Sequence, residues 1–273
     1  MIDPTPAAVP PAPSCPWPVS RPYPAGGCRI LWRVLISRRD VLKLAATAPA
    51  AVGLGAATSA LITAIAEAAP LGILLDYSAG VLSAGQIRAA GAAGAIRYVS
   101  DRRPGADWML GKPLQPAEAR DLRENGLTIV SCYQFGKQAT ADWLGGHDAG
   151  VEHAGRGRQL HAAAGGPDNA PIYASIDDNP SYEQYQAQVA PYLRGWETVI
   201  GHERTGVYAN SKTIEWALQD GLGCCFWQHN FGSPGGIAHQ AANLHQVEID
   251  KRKVGDVGVD LNEIRTPQFG QWA

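Results

Sequence analysis

The chain of 273 residues has little of several things that would narrow its function at once. Five cysteines are too few and too unevenly spread for a disulfide framework: Cys15 and Cys28 lie near the start, Cys132 stands alone, and Cys224 and Cys225 are adjacent. We read Cys132, Cys224 and Cys225 as small buried residues. There is no glycine-rich phosphate loop and no internal repeat. His229, His239 and His245 fall at intervals that match no zinc pattern, so neither a metal nor a cofactor is expected. Only 18% of residues are charged, and from residue 70 onward 17 Lys and Arg stand against 22 Asp and Glu. That balance repels polyphosphate and excludes nucleic acid as a partner.

What is present begins with a Pro-rich head, residues 1–36, expected to be disordered: nine prolines fall within residues 1–24. Residues 37–68 then read "SRRDVLKLAATAPAAVGLGAATSALITAIAEA". Arg38 and Arg39 precede a weakly apolar Ala/Gly stretch that ends in small residues suited to cleavage at Ala66-Glu67-Ala68. This resembles a twin-arginine (Tat) export signal, which implies the Tat translocase as a partner and the cell envelope or exterior as destination. About 20 apolar residues could also span a bilayer. The weak hydrophobicity and the small-residue exit favour the export reading, and no stable membrane insertion is expected after cleavage. The head is long for such a signal, so translation is expected to start near Val34 or Leu35.

Residues 69–273 remain, enough for one substantial core. Eight short apolar runs punctuate them: "LGILLDYS" from Leu71, "AIRYVSD" from Ala95, "LTIVSCYQFG" from Leu127, "PIYASIDD" from Pro171, "TGVYANS" from Thr205, "CCFWQHN" from Cys224, "LHQVEID" from Leu244 and "VGVDLN" from Val257. Each is bounded by Gly, Pro or polar residues, as strands buried on both faces should be. Helical patterns fill most gaps, with Ser83 as an N-cap, Pro116 and Gly126 bracketing a helix, Ser181 and Gln184 in capping-box spacing, and a helix opening at Ser211. Alternating strands and helices in this number predict an α/β fold, a (β/α)8 TIM-barrel-like domain. Too few residues separate the last two strands for a helix between them, so the final third should be degenerate.

In such barrels the chemistry gathers where strands end. Asp76 and Tyr77 close the first run, Tyr98 the second, Tyr133 the third, Asp177 and Asp178 the fourth, Tyr208 the fifth, Trp227 and Gln228 the sixth; Gln246 lies on the seventh, and Asp260 and Asn262 on the eighth. Aromatic rings that cover C–H faces, with amides and carboxylates for hydroxyls, suit a sugar. Glycoside cleavage further asks for two carboxyls across the scissile bond. Consecutive strand residues point to opposite faces, so Asp177 and Asp178 reach the same mouth only if the strand breaks there.

The signal, "LDYSAG", "IRYVSD", "IYASIDDNPSYEQY", "GVYANSKTI", "FWQHN" and "HQVEIDKRKVGDVGVDLNEI" together resemble the glycoside-hydrolase-like domain of exported actinobacterial proteins, domain of unknown function 1906. The resemblance covers residues 37–273. That family is in turn similar to the family 25 lysozymes, barrel enzymes that cut peptidoglycan. It implies a cell-wall glycan as partner, Asp177 as general acid, and Asp76 or Asp260 as its partner carboxylate. Where those lysozymes end their fourth strand on Asp-x-Glu, this chain has Ser175 and Asp177. The alternative is a non-catalytic glycan-binding protein on the same scaffold.

Overall fold

The computed structural model describes residues 69–231 and 236–273. The Pro-rich head and the export signal, Arg38 and Arg39 included, lie outside the described residues.

All eight apolar runs form strands: β1 (Gly72–Asp76), β2 (Gly94–Tyr98), β3 (Thr128–Tyr133), β4 (Ile172–Ser175), β5 (Thr205–Ala209), β6 (Cys225–Gln228), β7 (Leu244–Val254) and β8 (Val257–Ile264). From β1 to β7 each strand pairs in parallel with the next. Strand β8 runs antiparallel to both β7 and β1 and closes the barrel between them. Its reversed direction follows from the connection. Only Gly255 and Asp256 separate β7 from β8, and a two-residue turn can join only antiparallel strands. Gly255 takes φ +58 at the first position of that turn, where a hairpin favours glycine. A final short strand, β9 (Gln271–Trp272), pairs with the start of β3.

The expected helices are α1 (Ala84–Ala89), α2 (Pro116–Glu124), α4, which runs from Tyr182–Gln184 through a π turn (Tyr185–Val189) into Ala190–Ile200, and α5 (Ser211–Gln219). The expected capping box of Ser181 and Gln184 forms, and Ser83, expected as an N-cap, closes a second box with Gln86. Helix α5 opens at Ser211 as expected and is capped by Asn210, whose Oδ1 accepts from Thr213 N at 2.8 Å. Asn210 Nδ2 also donates to Asn179 Oδ1, which ties the end of β5 to the turn after β4. Helix α3 (Gly146–Ala163) was not expected from the sequence. It buries Gly150, Ala154 and Gly157, a stripe of small residues, together with His161, and none of these is the large apolar side chain that betrays a helix. The stripe lets α3 lie against α4: a Cβ on Gly150 would come within 2.1 Å of the Tyr192 carbonyl oxygen.

The lower barrel interior is apolar, filled by Leu74, Ile96, Val130, Tyr173, Trp227, Leu244 and Ile264. Outside, α1 and α2 pack on β1–β3 through Leu75, Ile87, Leu122 and Ile129, and α3–α5 pack around Tyr192, Trp196 and Ile214. Cys132 and Cys225 are buried as expected, but Cys224 is exposed because it precedes the first residue of β6. Arg97, fully buried on the outer face of β2, donates to Glu118 Oε1 at 2.7 Å and lies over the Tyr77 ring.

Candidate active site at the barrel mouth

Side chains alternate along each strand, so the residues that follow the apolar plug on the inner face emerge at the mouth. Asp76 follows Leu74 and Tyr98 follows Ile96, while beyond Tyr173 and Ser175 comes Asp177. Asp260 is the register partner of Asp76 across the β1–β8 pair. These residues line a cavity of about 390 Å³ together with Tyr208, Gln246 and Gln134.

The β1–β8 wall is held by one amide. Gln246 Nε2 donates to Asp76 Oδ2 at 3.0 Å and to Asp260 Oδ2 at 3.2 Å, so the two carboxyls are close neighbours. Tyr208 OH donates to Gln246 Oε1 at 2.8 Å and fixes that amide's orientation. Asp76 also accepts from Tyr98 OH at 2.9 Å and from Asn262 Nδ2 at 3.3 Å. Strand β7 is irregular between Gln246 and Arg252, and Asp250 there has φ +54. The kink turns the Asp250 N–H onto Asp260 Oδ1 at 2.8 Å; irregularities of this kind re-aim groups beside functional sites.

Burial pushes the Asp260 carboxyl up to about 7, and the charge of Asp76 adds to the shift. Burial also raises Asp76, against the opposing effect of its hydrogen bonds from Tyr98, Asn262 and Gln246. Two carboxyls this close cannot both ionise freely, and the pair retains a proton into the neutral range.

The β3–β4 wall is built differently. Asp177 Oδ2 accepts from Gln134 Nε2 at 2.8 Å and meets Lys137 Nζ at 3.2 Å. The segment bearing Gln134 and Lys137 is clamped by buried Asp142, which accepts from Phe135 N and Gly136 N at 2.8 and 2.7 Å. Lys112 Nζ and Ser100 Oγ both donate to the Gln134 carbonyl at 2.6 Å. Lys112 is almost wholly buried, its ammonium 4.0 Å over the Tyr98 ring. Burial brings it down to about 8, against the opposing charges of Asp142 and Asp76. The loop after β2 crosses close to the end of β1, and a Cβ on Gly111 would come within 2.2 Å of the Gly80 carbonyl oxygen.

Thus Asp76, Asp177, Asp260, Tyr98, Tyr208 and Gln246 come together at the cavity. Tyr77 reaches only its edge, since its hydroxyl donates to Glu118 behind the barrel. The remaining expected residues lie elsewhere. Strand β4 ends at Ser175, and Asp178 is occupied in the following turn, where its Oδ1 accepts from Asn179 N. Tyr133 points outward and stacks on His153. Gln228 secures the following loop, accepting from His239 N and donating to the Ile237 carbonyl. Trp227 and Asn262 bond to each other at 2.8 Å in the buried layer beneath the cavity. Asp76 is not paired with Arg97, whose carboxylate partner is Glu118. Sequence reasoning missed Arg103, Trp108, Lys112, Lys137 and Phe231, which also line the cavity. They sit in loops beyond β2, β3 and β6, where no periodicity signals direction.

The barrel is closed, and carboxyls, amides and aromatic rings gather at the mouth where its parallel strands end, with Asp260 brought there by the antiparallel β8. Residues 85–264 match the Rv2525c-like, glycoside hydrolase-like domain family, and the chain belongs to that family. It is 73% identical over 238 residues to Rv2525c of Mycobacterium tuberculosis, a protein whose name puts it forward as a peptidoglycan hydrolase; the match covers 87% of this chain and 99% of that one. The crystal structure of Tat-secreted Rv2525c in complex with L-tartrate superposes with a TM-score of 0.74 at 76% identity, covering 74% of this chain and all of that one. An uncharacterised Bacillus stearothermophilus protein, 17% identical with a TM-score of 0.50, covers 70% of this chain and 95% of its own, and shares the fold.

Proposed function

We propose that this chain is exported by the Tat pathway and that its barrel mouth binds and hydrolyses a cell-envelope glycan, with peptidoglycan the first candidate. The single observation that carries the reading is geometric: Asp76 and Asp260, joined by the Gln246 amide, face one cavity with Asp177, and burial pushes Asp260 up to about 7. Glycoside cleavage needs a protonated carboxyl on the leaving oxygen and a charged one near the anomeric carbon. The Asp76–Asp260 pair supplies the proton through Asp260, the member with less of its surface buried. Asp177, paired with Lys137, steadies the positive charge that develops at the anomeric carbon. These roles exchange Asp177 and Asp260 relative to what the family resemblance implies. Tyr98, Tyr208 and Gln246 orient the two aspartates of the β1–β8 wall, and Trp108, 55% exposed at the rim, offers a face to a sugar ring. The names given to Rv2525c, a Tat-secreted protein and a proposed peptidoglycan hydrolase, support export and substrate alike.

One feature favours a second reading, a barrel that holds glycan without cutting it. Ser175 stands two residues before Asp177 with its buried hydroxyl unpartnered among the described residues, where the resembled lysozymes carry a further carboxylate. The test is release of new reducing ends from purified peptidoglycan by the wild-type protein, Asp260→Asn and Asp177→Asn, with binding to the same material measured in parallel. Release by the wild type that is lost in both variants supports hydrolysis. Binding without release by any of them gives the second reading, and absence of both removes the glycan altogether.

A further inference from the structure

The end of the barrel opposite the aspartates carries the two adjacent cysteines. Strand β6 starts at Cys225, and Cys224 lies in the bend before it. Consecutive residues of a regular strand point to opposite faces, which would hold two neighbouring thiols apart. Here the bend brings them together. Gly223 takes φ +78, and a Cβ there would come within 2.6 Å of Val207 Cγ2. Cys224 N donates to the Thr205 carbonyl at 2.8 Å and Cys225 is in register with Gly206, so β5 holds both residues in place. The two Sγ atoms lie 3.6 Å apart. Both residues line a cavity of about 700 Å³, walled also by Pro171, Asn243, Gln268 and Trp272. Cys224 is exposed, whereas Cys225 is only 6% exposed. The S–H donated by Cys225 holds the Cys224 thiol below its ordinary range; burial opposes this, and nearby His202 assists it. Cys225 is raised, by the same contact first and by burial second. An exposed thiol that ionises first, beside a buried one that ionises last, is the arrangement of an attacking and a resolving cysteine.

We propose that Cys224 and Cys225 form a dithiol site that exchanges with a small-molecule disulfide entering this cavity, and that the two protein sulfurs end joined to each other. Cys224, as thiolate, attacks one sulfur of the small disulfide. That S–S bond breaks, one small thiol leaves and takes a proton from solvent, and the other half stays on Cys224 as a mixed disulfide. Cys224 then no longer carries the negative charge that keeps Cys225 protonated, so Cys225 gives its proton to solvent. Its sulfur attacks Cys224 Sγ and expels the second small thiol. The protein pair is oxidised by two electrons and the small disulfide is reduced by two. The sulfurs close from 3.6 Å to about 2 Å, a movement that falls to Cys224, which lies outside β6. The aspartates at the mouth take no part, so this site stands apart from the proposed function.

The test treats the reduced full chain with bis(2-hydroxyethyl) disulfide, blocks the remaining thiols, and weighs the digested peptide that carries both cysteines. Weighing that peptide keeps Cys15, Cys28 and Cys132 out of the reading. In the wild type it should end two hydrogens lighter and without an adduct. Cys225→Ser should stop at the mixed disulfide, with one hydroxyethylthio group on Cys224, and Cys224→Ser should leave Cys225 unreacted. Cys224 is exposed, so its variant reports even where Cys225→Ser folds poorly. An adduct that persists on wild-type Cys224, or a peptide that keeps both thiols, overturns the proposal. Phenylarsine oxide supplies a second readout, since trivalent arsenic bridges two neighbouring thiols with loss of water and needs no bond between the sulfurs. One equivalent should bind at the pair in the wild type, with affinity falling on the order of 10²-fold when either thiol is replaced. Affinity in Cys224→Ser equal to that of the wild type would overturn the pairing.

Discussion

On the β1–β8 side of the mouth, Asp76 and Asp260 share the amide of Gln246, and no ammonium or guanidinium lies within ion-pair distance among the described residues. On the β3–β4 side, Asp177 meets Lys137 at 3.2 Å and takes a second donor from Gln134. The same residue type is thus given two environments a few strands apart. One withdraws carboxyls from water beside each other and keeps a proton on them; the other places an ammonium against a carboxylate. A barrel rim can do this because each position arrives on its own strand and takes its neighbours from its own loop. Acid and base are set by surroundings rather than by residue identity.

The comparison breaks most sharply under substitution of the two carboxyls that face the cavity. Asp260→Asn and Asp177→Asn should each lower glycan cleavage by a factor on the order of 10²–10⁴, measured as reducing-end release. In the wild type, cleavage should fall as pH rises through about 7, where Asp260 loses its proton. Next in size is the support behind β1 and β2. Glu118→Ala leaves the buried Arg97 guanidinium without its carboxylate, and chemical denaturation should show a loss of about 3–5 kcal/mol.

A smaller effect sharpens the contrast through stability. Folded Asp76 and Asp260 hold protons more tightly than the unfolded chain, so the stability these two carboxyls contribute is greatest below the ordinary carboxylate value of 3.8 and falls as pH rises toward 7. Asp260→Asn should flatten that slope in a series of thermal melts from pH 4 to 8. Smallest of all, Lys137→Met removes a half-exposed ion pair and should cost no more than about 1 kcal/mol.

Much of this was legible in the sequence. Eight apolar runs gave eight strands because each is short and bounded by turn formers, and period two placed Asp177 inward and Asp178 out of the cavity. The narrow gap before the last strand foretold a segment without a helix, though not that β8 would run backwards. What was hidden falls into two kinds. Helix α3 is packed through Gly150, Ala154 and Gly157, so its contact face has no hydrophobic signature. The cationic side of the mouth comes from "DRRPGADWMLGKP", a loop in which nothing local says that Arg103 and Lys112 turn inward while Arg102 stays exposed. Tyr133 and Gln228 were misplaced for a simpler reason. Each ends a strand on its outer face, and a strand end belongs to the mouth only on the inner one.

The most direct test is the titration of the Asp260 carboxyl itself, followed by the NMR shift of its side-chain carbon and assigned by difference against Asp260→Asn. A midpoint near 7, moved down when Asp76 is replaced by Asn, is the predicted result. A midpoint near the ordinary 3.8, unmoved by that replacement, would contradict the proton on the β1–β8 wall and with it the assignment of Asp260 as the acid.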